Sequence, residues 1–209
     1  MTQISTRLLL LLFCLSLPAA AQRRFDVTPL IGYRFHDSFP TKDPANEENL
    51  GEGKLAHGES FGAAAGIRFQ DDQVVEFRWT RQNTGLSLTG PPPLGTRESG
   101  ASVDQLHADF TKEFVVSDLA RSRPYVLAGI GVTRVKSAGD DFSRFSFGIG
   151  GGIKVFPVSR FGLRFEAQWA PVYVEPELKG VLCTGGCVTG IGGKLVHQVQ
   201  FSVGPIFSF

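Results

Sequence analysis

The last stretch of the chain, 197–209, constrains the fold more than any other. Between Val199 and Phe209 every second residue is apolar, and the residues between them are small or polar apart from Ile206. A repeat of two over this length is typical of a β-strand and not of a helix. Soluble proteins seldom end on a bare apolar strand. The stretch therefore predicts a wall strand of a transmembrane barrel, which needs about 9–11 such residues, or the closing strand of a soluble sandwich.

The first 21 residues are predicted to be a secretory signal peptide, 1–21, cleaved before Gln22. Arg7 precedes an apolar run at 8–17, a proline ends that run, and three alanines supply an A-x-A cleavage site. The run is much shorter than the roughly 20 residues of a membrane-spanning helix. We therefore expect export and a mature chain that begins at Gln22.

The mature chain is electrically neutral. The sequence has 21 Lys and Arg against 20 Asp and Glu, and removal of the signal peptide with Arg7 leaves 20 against 20. A neutral chain gives no reason to expect a nucleic-acid partner. No later apolar run approaches the length of a spanning helix, so a membrane location would require strands. Residues 22–209 suffice for one sizeable domain.

Eight segments of the mature chain alternate apolar residues with polar or small ones. A closed sheet of such strands gives every backbone polar group a partner in lipid, and eight strands leave an interior that side chains nearly fill. We predict an all-β fold, an eight-stranded antiparallel transmembrane up-and-down β-barrel. The segments lie at about 24–35, 59–69, 73–82, 103–114, 123–136, 144–156, 161–174 and 197–209.

The connections between these segments alternate in predicted length. Long connections of roughly 16–23 residues alternate with short ones of roughly three to nine, the asymmetry of outer-membrane barrels. The medium loop at 137–143 is the exception. Both termini then fall on the periplasmic side.

The faces opposite the apolar ones carry charged residues, and on two segments glycine and alanine. In a sandwich these faces would be solvated, whereas small residues suit a crowded barrel interior. We predict a paired charge network that fills the lumen, because buried charges must be paired. A proton or ion path is the alternative. The predicted network is Arg34, Arg68, Glu76, Arg78, His107, Asp109, Lys154, Arg164 and Glu166.

These features together resemble the small outer-membrane β-barrel proteins, the OmpA-, OmpX- and OmpW-like barrels. The resemblance rests on the signal peptide, the eight segments, the stretch 124–131, the glycine-rich 147–154 and the terminal Phe209. It covers the whole mature chain and specifies architecture more than function, so residues 22–209 are expected to form one outer-membrane β-barrel domain. It implies that the strand ending at Phe209 is the signal read by the barrel-assembly machinery. In contrast to the two-domain members, we expect no peptidoglycan-binding domain after the barrel.

On this basis we expect a non-enzymatic protein of the bacterial outer membrane with a structural or surface-interaction role. We expect a monomer without cofactor, in contact with outer-membrane lipid and lipopolysaccharide, whose long external loops can meet an extracellular partner. A narrow pore for small solutes or ions is the alternative. A lipid A-modifying enzyme is a third possibility: Ser102, His107 and Asp109 are near in sequence but make no recognised hydrolase motif.

Two cysteines remain in the mature chain, Cys183 and Cys187, separated by Thr-Gly-Gly. An exported protein meets an oxidising compartment, so a disulfide between them is predicted. The alternatives are free thiols, or a metal bound with His57 or His36, although one C-x3-C spacing is a weak zinc signal. We therefore predict no metal site.

Overall fold

The computed structural model describes residues 25–42, 49–89, 95–114, 121–137, 140–174, 190–191 and 194–209 of the chain. In these residues no helix is long and apolar enough to cross a bilayer. They form thirteen strands of one antiparallel sheet. In chain order the strands are β1 (Phe25–His36), β2 (Ser38–Lys42), β3 (Asn49–Leu55), β4 (Gly58–Gln70), β5 (Gln73–Thr89), β6 (Thr96–Glu113), β7 (Ser122–Ser137), β8 (Asp140–Val158), β9 (Phe161–Trp169), β10 (Val172–Val174), β11 (Gly190–Ile191), β12 (Lys194–Val196) and β13 (Gln198–Ser208).

Eight long strands of this sheet close into a barrel. They pair antiparallel in the cyclic order β1, β4, β5, β6, β7, β8, β9, β13, and β13 pairs back onto β1. Successive cross-strand partners lead once around the wall from Phe25 to Phe35 of the same strand, a stagger of ten residues. Barrel strands are typically tilted by about 35–45° to the axis. The predicted eight-stranded barrel is confirmed.

The two faces of the wall strands differ as a membrane barrel requires. On β5 the outward side chains of Phe77 and Trp79 are 55 % and 41 % exposed, whereas the inward Glu76 and Arg78 are 1 % and 3 % exposed. A soluble sandwich would bury the apolar face and leave the charged face in water. The exposed apolar side chains, with aromatic residues on most strands, form the apolar band that a bilayer covers. The sandwich alternative is therefore wrong.

Two of the connections at the lower end of the barrel are tight turns. Two-residue turns at 71–72 and 159–160 connect neighbouring strands there. The first and last described residues also meet at this end, where the Phe209 backbone N–H donates to the Phe25 carbonyl at 2.8 Å. The termini thus lie on the side of the short turns.

The upper end is longer than the sequence predicted, because connections predicted as loops are largely strand. The third predicted strand ended at Gln82 and the fourth began at Val103, but β5 and β6 stay paired as far as Thr89 and Thr96. The predicted loop 137–143 likewise shrinks, since β7 ends at Ser137 and β8 begins at Asp140. The prediction failed because the faces exchange character at this level: the inward side chains become apolar and the outward ones become polar or small.

We call the part of the sheet above this reversal the outer extension. The β2–β3 hairpin adds to it through pairing of β3 with β5. Its interior is apolar, a cluster of seven buried residues against which Phe142 packs. The outer extension comprises the strands beyond Arg81 on β5, Asp104 on β6, Arg134 on β7 and Ser143 on β8, with β2, β3, β10, β11 and β12. Its apolar cluster is Leu55, Leu86, Ala101, Val103, Val135, Val172 and Val196.

Candidate functional site

Polar side chains converge in the barrel interior, which is stacked in three layers. A charged layer at the lower end is followed by a layer of glutamine and histidine, and then by the apolar cluster of the outer extension. Inward positions recur every second residue along a strand. On β5 these positions hold Glu76 and Arg78, then Gln82, and finally Leu86. The order of inward residues along each strand therefore sets the order of the layers.

Arg164 holds the centre of the charged layer. Its Nη2 donates to Glu76 Oε2 at 2.8 Å, and its Nε donates to Glu166 Oε2 at 3.0 Å. The hydroxyl of Tyr125 donates to the same Glu166 oxygen at 2.6 Å. The Arg164 guanidinium also lies 5.0 Å from the centre of the Tyr125 ring. Charge-assisted hydrogen bonds of this kind are the strong ones in a buried interior of low dielectric constant.

Lys154 joins this centre to the lower rim. Its Nζ donates to Glu76 Oε1 at 3.1 Å and to Glu113 Oε1 at 2.9 Å. Arg68 approaches Glu113 from the rim, with its Nη1 2.9 Å from Oε2, and its side chain is 12 % exposed. Asp26 lies 3.6 Å from Arg68. The network therefore continues from the centre of the lumen to its lower mouth.

Arg78 extends the network upward. It makes two hydrogen bonds to Glu166, and its Nη1 donates to Gln168 Oε1 at 2.7 Å. Asp109 Oδ2 lies 3.3 Å from Arg78 Nη2. The Asp109 carboxylate lies close to the β7 backbone at Gly129, where an added Cβ would be only 2.0 Å from Oδ1. Glycine at that position makes room for the carboxylate.

Five cations and five carboxylates line the two polar layers with little or no exposed surface, and Arg123 and Arg144 point inward beside them with part of their surface exposed. Removing one member of an ion pair in the charged layer would leave its partner buried and unpaired, which is strongly destabilising. Arg123, 31 % exposed, adds one contact to Glu113 from the rim at 3.3 Å. The cations are Arg34, Arg68, Arg78, Lys154 and Arg164, and the carboxylates are Asp26, Glu76, Asp109, Glu113 and Glu166.

Arg34 lies in the glutamine layer, apart from the ion-paired cluster. Its Nε and Nη2 donate to Gln200 Oε1 at 2.9 and 2.6 Å, and Nη2 also donates to Thr80 Oγ1 at 2.6 Å. These partners are neutral oxygens. Of the nine residues assigned to the charge network from the sequence, the structure brings seven into contact as ions. Arg34 and His107 bond to neutral groups instead.

His107 contacts a serine that the sequence did not single out. Its Nε2 is 2.9 Å from Ser146 Oγ, and Thr133 Oγ1 donates to the same serine oxygen at 3.0 Å. His107 Nδ1 is 3.9 Å from Asp109, too far for a hydrogen bond. Ser102, the serine weighed as a hydrolase nucleophile, lies on the opposite face of β6. Since Ser146 is fully buried, the arrangement offers an acyl substrate no access.

Three further members of the charged layer were missed from the sequence. Glu113 lies two inward positions beyond Asp109 on β6, and Asp26 lies on the same face of β1 as Arg34. The alternation of inward and outward positions along each strand was sufficient to find both residues. Tyr125 is an aromatic residue on the inward face of β7. Its hydroxyl, which bonds Glu166, is the reason for that position.

Outward charges mark the upper edge of the apolar band. Arg81 Nη1 lies 3.9 Å from Asp104 Oδ1 on the outer face. On the neighbouring strands Arg134 Nε donates to Asp141 Oδ1 at 2.6 Å, and a second bond joins the same groups. The hydrogen bond from Arg134 lowers the pKa of the Asp141 carboxyl. Charged side chains at this level belong in water and headgroups and not in hydrocarbon.

Several residues singled out from the sequence lie outside the described residues. These are Cys183 and Cys187 and the whole signal peptide, so the disulfide and the cleavage stay predictions. Of the two histidines weighed as metal partners, His57 accepts a hydrogen bond at Nδ1 from the His36 backbone at 3.0 Å. Within the ranges that the structure describes, no group of three or more His, Cys, Asp or Glu side chains is placed to hold a metal ion.

Comparison with known proteins agrees with the geometry. The sequence matches the family model of the outer membrane protein beta-barrel domain over residues 7–180, while no curated protein matches it. The chain is similar in structure to the outer membrane protein OprG from Pseudomonas aeruginosa, with a TM-score of 0.63, 11 % identity and coverage of 90 % of this chain and 98 % of that chain.

Two further structures show the same fold. Neisserial surface protein A has a TM-score of 0.54 and 15 % identity, with coverage of 88 % of this chain and 97 % of that chain. The outer membrane protease OmpT from Escherichia coli has a TM-score of 0.50 and 8 % identity, with coverage of 89 % and 97 %. Likeness at these identities shows the fold alone, and this fold carries an enzyme as well as other proteins. The family model covers most of the sequence, and the chain therefore belongs to the outer membrane protein beta-barrel domain family of the bacterial outer membrane.

Proposed function

We propose that this protein is a non-enzymatic, non-conducting barrel with a structural or surface-interaction role in the outer membrane. The filled interior is the observation that carries the proposal. Paired charges occupy the lower lumen, and the glutamine layer and the apolar cluster lie across it above them. An ion would have to break paired charges such as Arg164 and Glu166 and then cross the apolar cluster without its hydration shell, which is very unfavourable.

Planar-bilayer recording of the purified protein tests this proposal. We expect no stable open-channel current. Stable single-channel currents from the wild type would contradict it. The double variant Arg164→Ala/Glu166→Ala, which thins the charged layer, has a matched control in Arg81→Ala/Asp104→Ala on the outer face. If the wild type does conduct, a current that changes in Arg164→Ala/Glu166→Ala but not in Arg81→Ala/Asp104→Ala would pass through the lumen.

A narrow pore is the second candidate, and one observation favours it. Several buried polar atoms have no hydrogen-bond partner among the described residues, including both Asp109 carboxylate oxygens, His107 Nδ1 and Gln168 Nε2. Such atoms ordinarily bond to buried water. A file of water in the middle of the lumen would favour slow passage of small ions. Liposome swelling and low-conductance recording distinguish this pore from a closed barrel.

The non-enzymatic part of the proposal rests on burial. Among the described residues, Ser146 and His107 form a buried serine–histidine pair, which has no surface at which an acyl chain or peptide could react. Purified protein incubated with lipopolysaccharide and with a peptide library should leave both unchanged. Release or transfer of lipid A acyl chains would show the third possibility, a lipid A-modifying enzyme, to be right.

Export and assembly complete the proposal. Residues 1–21 act as a Sec-type signal peptide, so the protein recovered from outer membranes should begin at Gln22. The C-terminal strand that ends at Phe209 is proposed as the contact with the barrel-assembly machinery. Deletion of Phe209 should slow assembly in cells without changing refolding of the purified chain into detergent. Equal assembly rates would remove that role.

A further inference from the structure

A groove on the outer face of the outer extension is separate from the lumen. Its volume is ≈ 680 Å³, within the range of small-molecule sites. The floor is one row of small residues, Ala56, Gly85 and Gly100. The Ala56 N–H donates to the Gly85 carbonyl at 2.8 Å, and Gly85 and Gly100 are direct cross-strand partners. A flat ring can therefore approach the backbone closely there.

A row of polar side chains borders this floor. Lys54 is paired across the strands with Ser87, and Ser87 with Glu98. The row thus presents an ammonium, a hydroxyl and a carboxylate side by side, which can donate to and accept from neighbouring hydroxyl groups. The charges of Lys54 and Glu98 cancel. This border suits a neutral, polyhydroxylated ligand better than an isolated anion.

Aromatic rings complete the groove at its lower side. Tyr33 is 42 % exposed and lines the groove with His57. Phe35 lies between them, with its ring centre 5.0 Å from that of Tyr33 and 5.5 Å from that of His57. Exposed aromatic rings with polar atoms beside them are amphipathic contact surfaces. They match the C–H face and the hydroxyl edge of a pyranose ring.

The position of the groove identifies the source of such a ring. The groove opens sideways over the membrane and not into the lumen. Trp79 is the last outward apolar residue of β5, and Gly85 lies six positions further, about 15 Å above Trp79 along the barrel axis at the usual strand rise and tilt. In a bacterial outer membrane, this level is occupied by the saccharide headgroups of the outer-leaflet glycolipid.

We propose that this groove binds a sugar unit of the outer-leaflet glycolipid headgroup. The inference rests on the proposed surface role and names a partner for it. Lys54 and Glu98 bond the hydroxyls, Tyr33 and His57 pack on the ring, and the floor of small residues admits it. The ligand remains part of the surrounding membrane, so binding fixes the barrel among its lipids.

Two matched pairs of variants test the site. A Cβ on Gly100 meets nothing within 4 Å, so Gly100→Phe fills the groove without disturbing the strand. Ser143→Phe is its control, an outward position at a similar level on β8. Lys54→Gln removes the ammonium from the border, and Lys136→Gln removes an exposed outward lysine on β7. Heat-modifiable migration on gels checks that each variant is folded.

Each full-length protein is titrated in detergent with three probes. The probes are lipopolysaccharide with lipid A and core sugars, lipid A without core sugars, and the delipidated core oligosaccharide. Wild type should bind lipopolysaccharide and the oligosaccharide, and should bind lipid A about tenfold more weakly. Gly100→Phe should weaken oligosaccharide binding at least about tenfold and Lys54→Gln about fivefold. Both controls should bind like wild type.

Two results would overturn the inference. Equal binding of lipid A and lipopolysaccharide would show that acyl chains or phosphates are recognised instead of sugars. Equal binding by Gly100→Phe and Ser143→Phe would place any sugar site elsewhere, and if Gly100→Phe does not fold, Lys54→Gln against Lys136→Gln decides in the same way. The proposed function fails separately, through a wild-type current in the bilayer, which none of these groove variants should alter.

Discussion

The membrane-level barrel and the outer extension are built with opposite polarity from the same strands. Strand β5 passes through both regions. At membrane level it buries Glu76 and exposes Phe77, whereas in the outer extension it buries Leu86 and turns Ser87 outward. The reversal takes place beside Arg81, within one uninterrupted strand with constant pairing to β6.

This difference teaches that the medium outside the wall decides what can fill its inside. Lipid covers the apolar band, so the hydrophobic effect gives no reason to move apolar side chains into the lumen. The interior there is held by backbone pairing and ion pairs. Water and hydrated headgroups surround the outer extension, and the hydrophobic effect buries its apolar residues as in any soluble sheet. One backbone thus carries two kinds of core.

The largest expected effect comes from breaking the charged core. Arg164→Met should lower the free energy of unfolding by about 3–5 kcal/mol, because Glu76 and Glu166 lose a buried partner. The measurement is urea unfolding in lipid vesicles. Arg81→Met is the control, since its exposed pair with Asp104 should contribute no more than about 1 kcal/mol. Equal losses would mean that water solvates the lumen charges.

A second pair of variants locates the boundary between the regions. Phe77→Arg places a charge in the apolar band and should destabilise the barrel by about 2–4 kcal/mol. Asn83→Arg makes the same addition on the same outward face of β5, six positions higher, and should change stability by less than about 0.5 kcal/mol. Urea unfolding in vesicles measures both. A large loss for Asn83→Arg would put the lipid boundary above Arg81.

The apolar core of the outer extension gives the third test. Leu86→Ala should destabilise the extension by about 2–3 kcal/mol, because the buried side chain leaves a cavity. Leu106→Ala is the same change on the lipid-facing side of β6, where lipid fills the space, and should have the smaller effect. Proteolysis within 83–102, with the barrel still heat-modifiable, reports the loss in Leu86→Ala. Equal protection of both variants would contradict the apolar core.

The sequence predicted the membrane-level fold well because its pattern is the physical cause of that fold. Each wall strand must alternate in lipid, and eight alternating segments were visible. The same reasoning failed at 83–89 and 96–102, where the strands continue but the apolar side chains change from the outward to the inward face. Leu86 and Ala101 are inward and apolar there, followed by Val103. We predicted a strand only as far as its outward residues were apolar, so the residues beyond such a reversal were predicted to be a loop.

The contacts in the interior were less predictable, because alternation along a strand predicts on which side of the wall a residue lies and not which residue it contacts. Alternation placed Arg34 on the inward face, but its hydrogen bond to Gln200 depends on the register with which β13 closes the barrel. The contact between His107 and Ser146 spans two intervening pairings, β6 with β7 and β7 with β8. Such contacts follow from the register around the barrel, which alternation along one strand does not specify.

The smallest expected effect is the loss of an exposed ion pair in the outer extension. Asp141→Asn removes the carboxylate bonded by Arg134. Because both groups stay in contact with water, hydration offsets most of their attraction and salt screens the rest. The hydrogen bond from Arg134 lowers the pKa of the Asp141 carboxyl. Any stabilisation is therefore present at neutral pH and disappears as the pH falls through the pKa of Asp141 in the folded protein.

Urea unfolding at neutral pH, with and without added salt, should give wild type and Asp141→Asn the same midpoint within error. The two proteins should also have the same midpoint in acid. A loss of stability comparable to that of Arg164→Met would show that ion pairs stabilise the outer extension as well. The contrast between its apolar core and the charged core below would then not describe what stabilises each region.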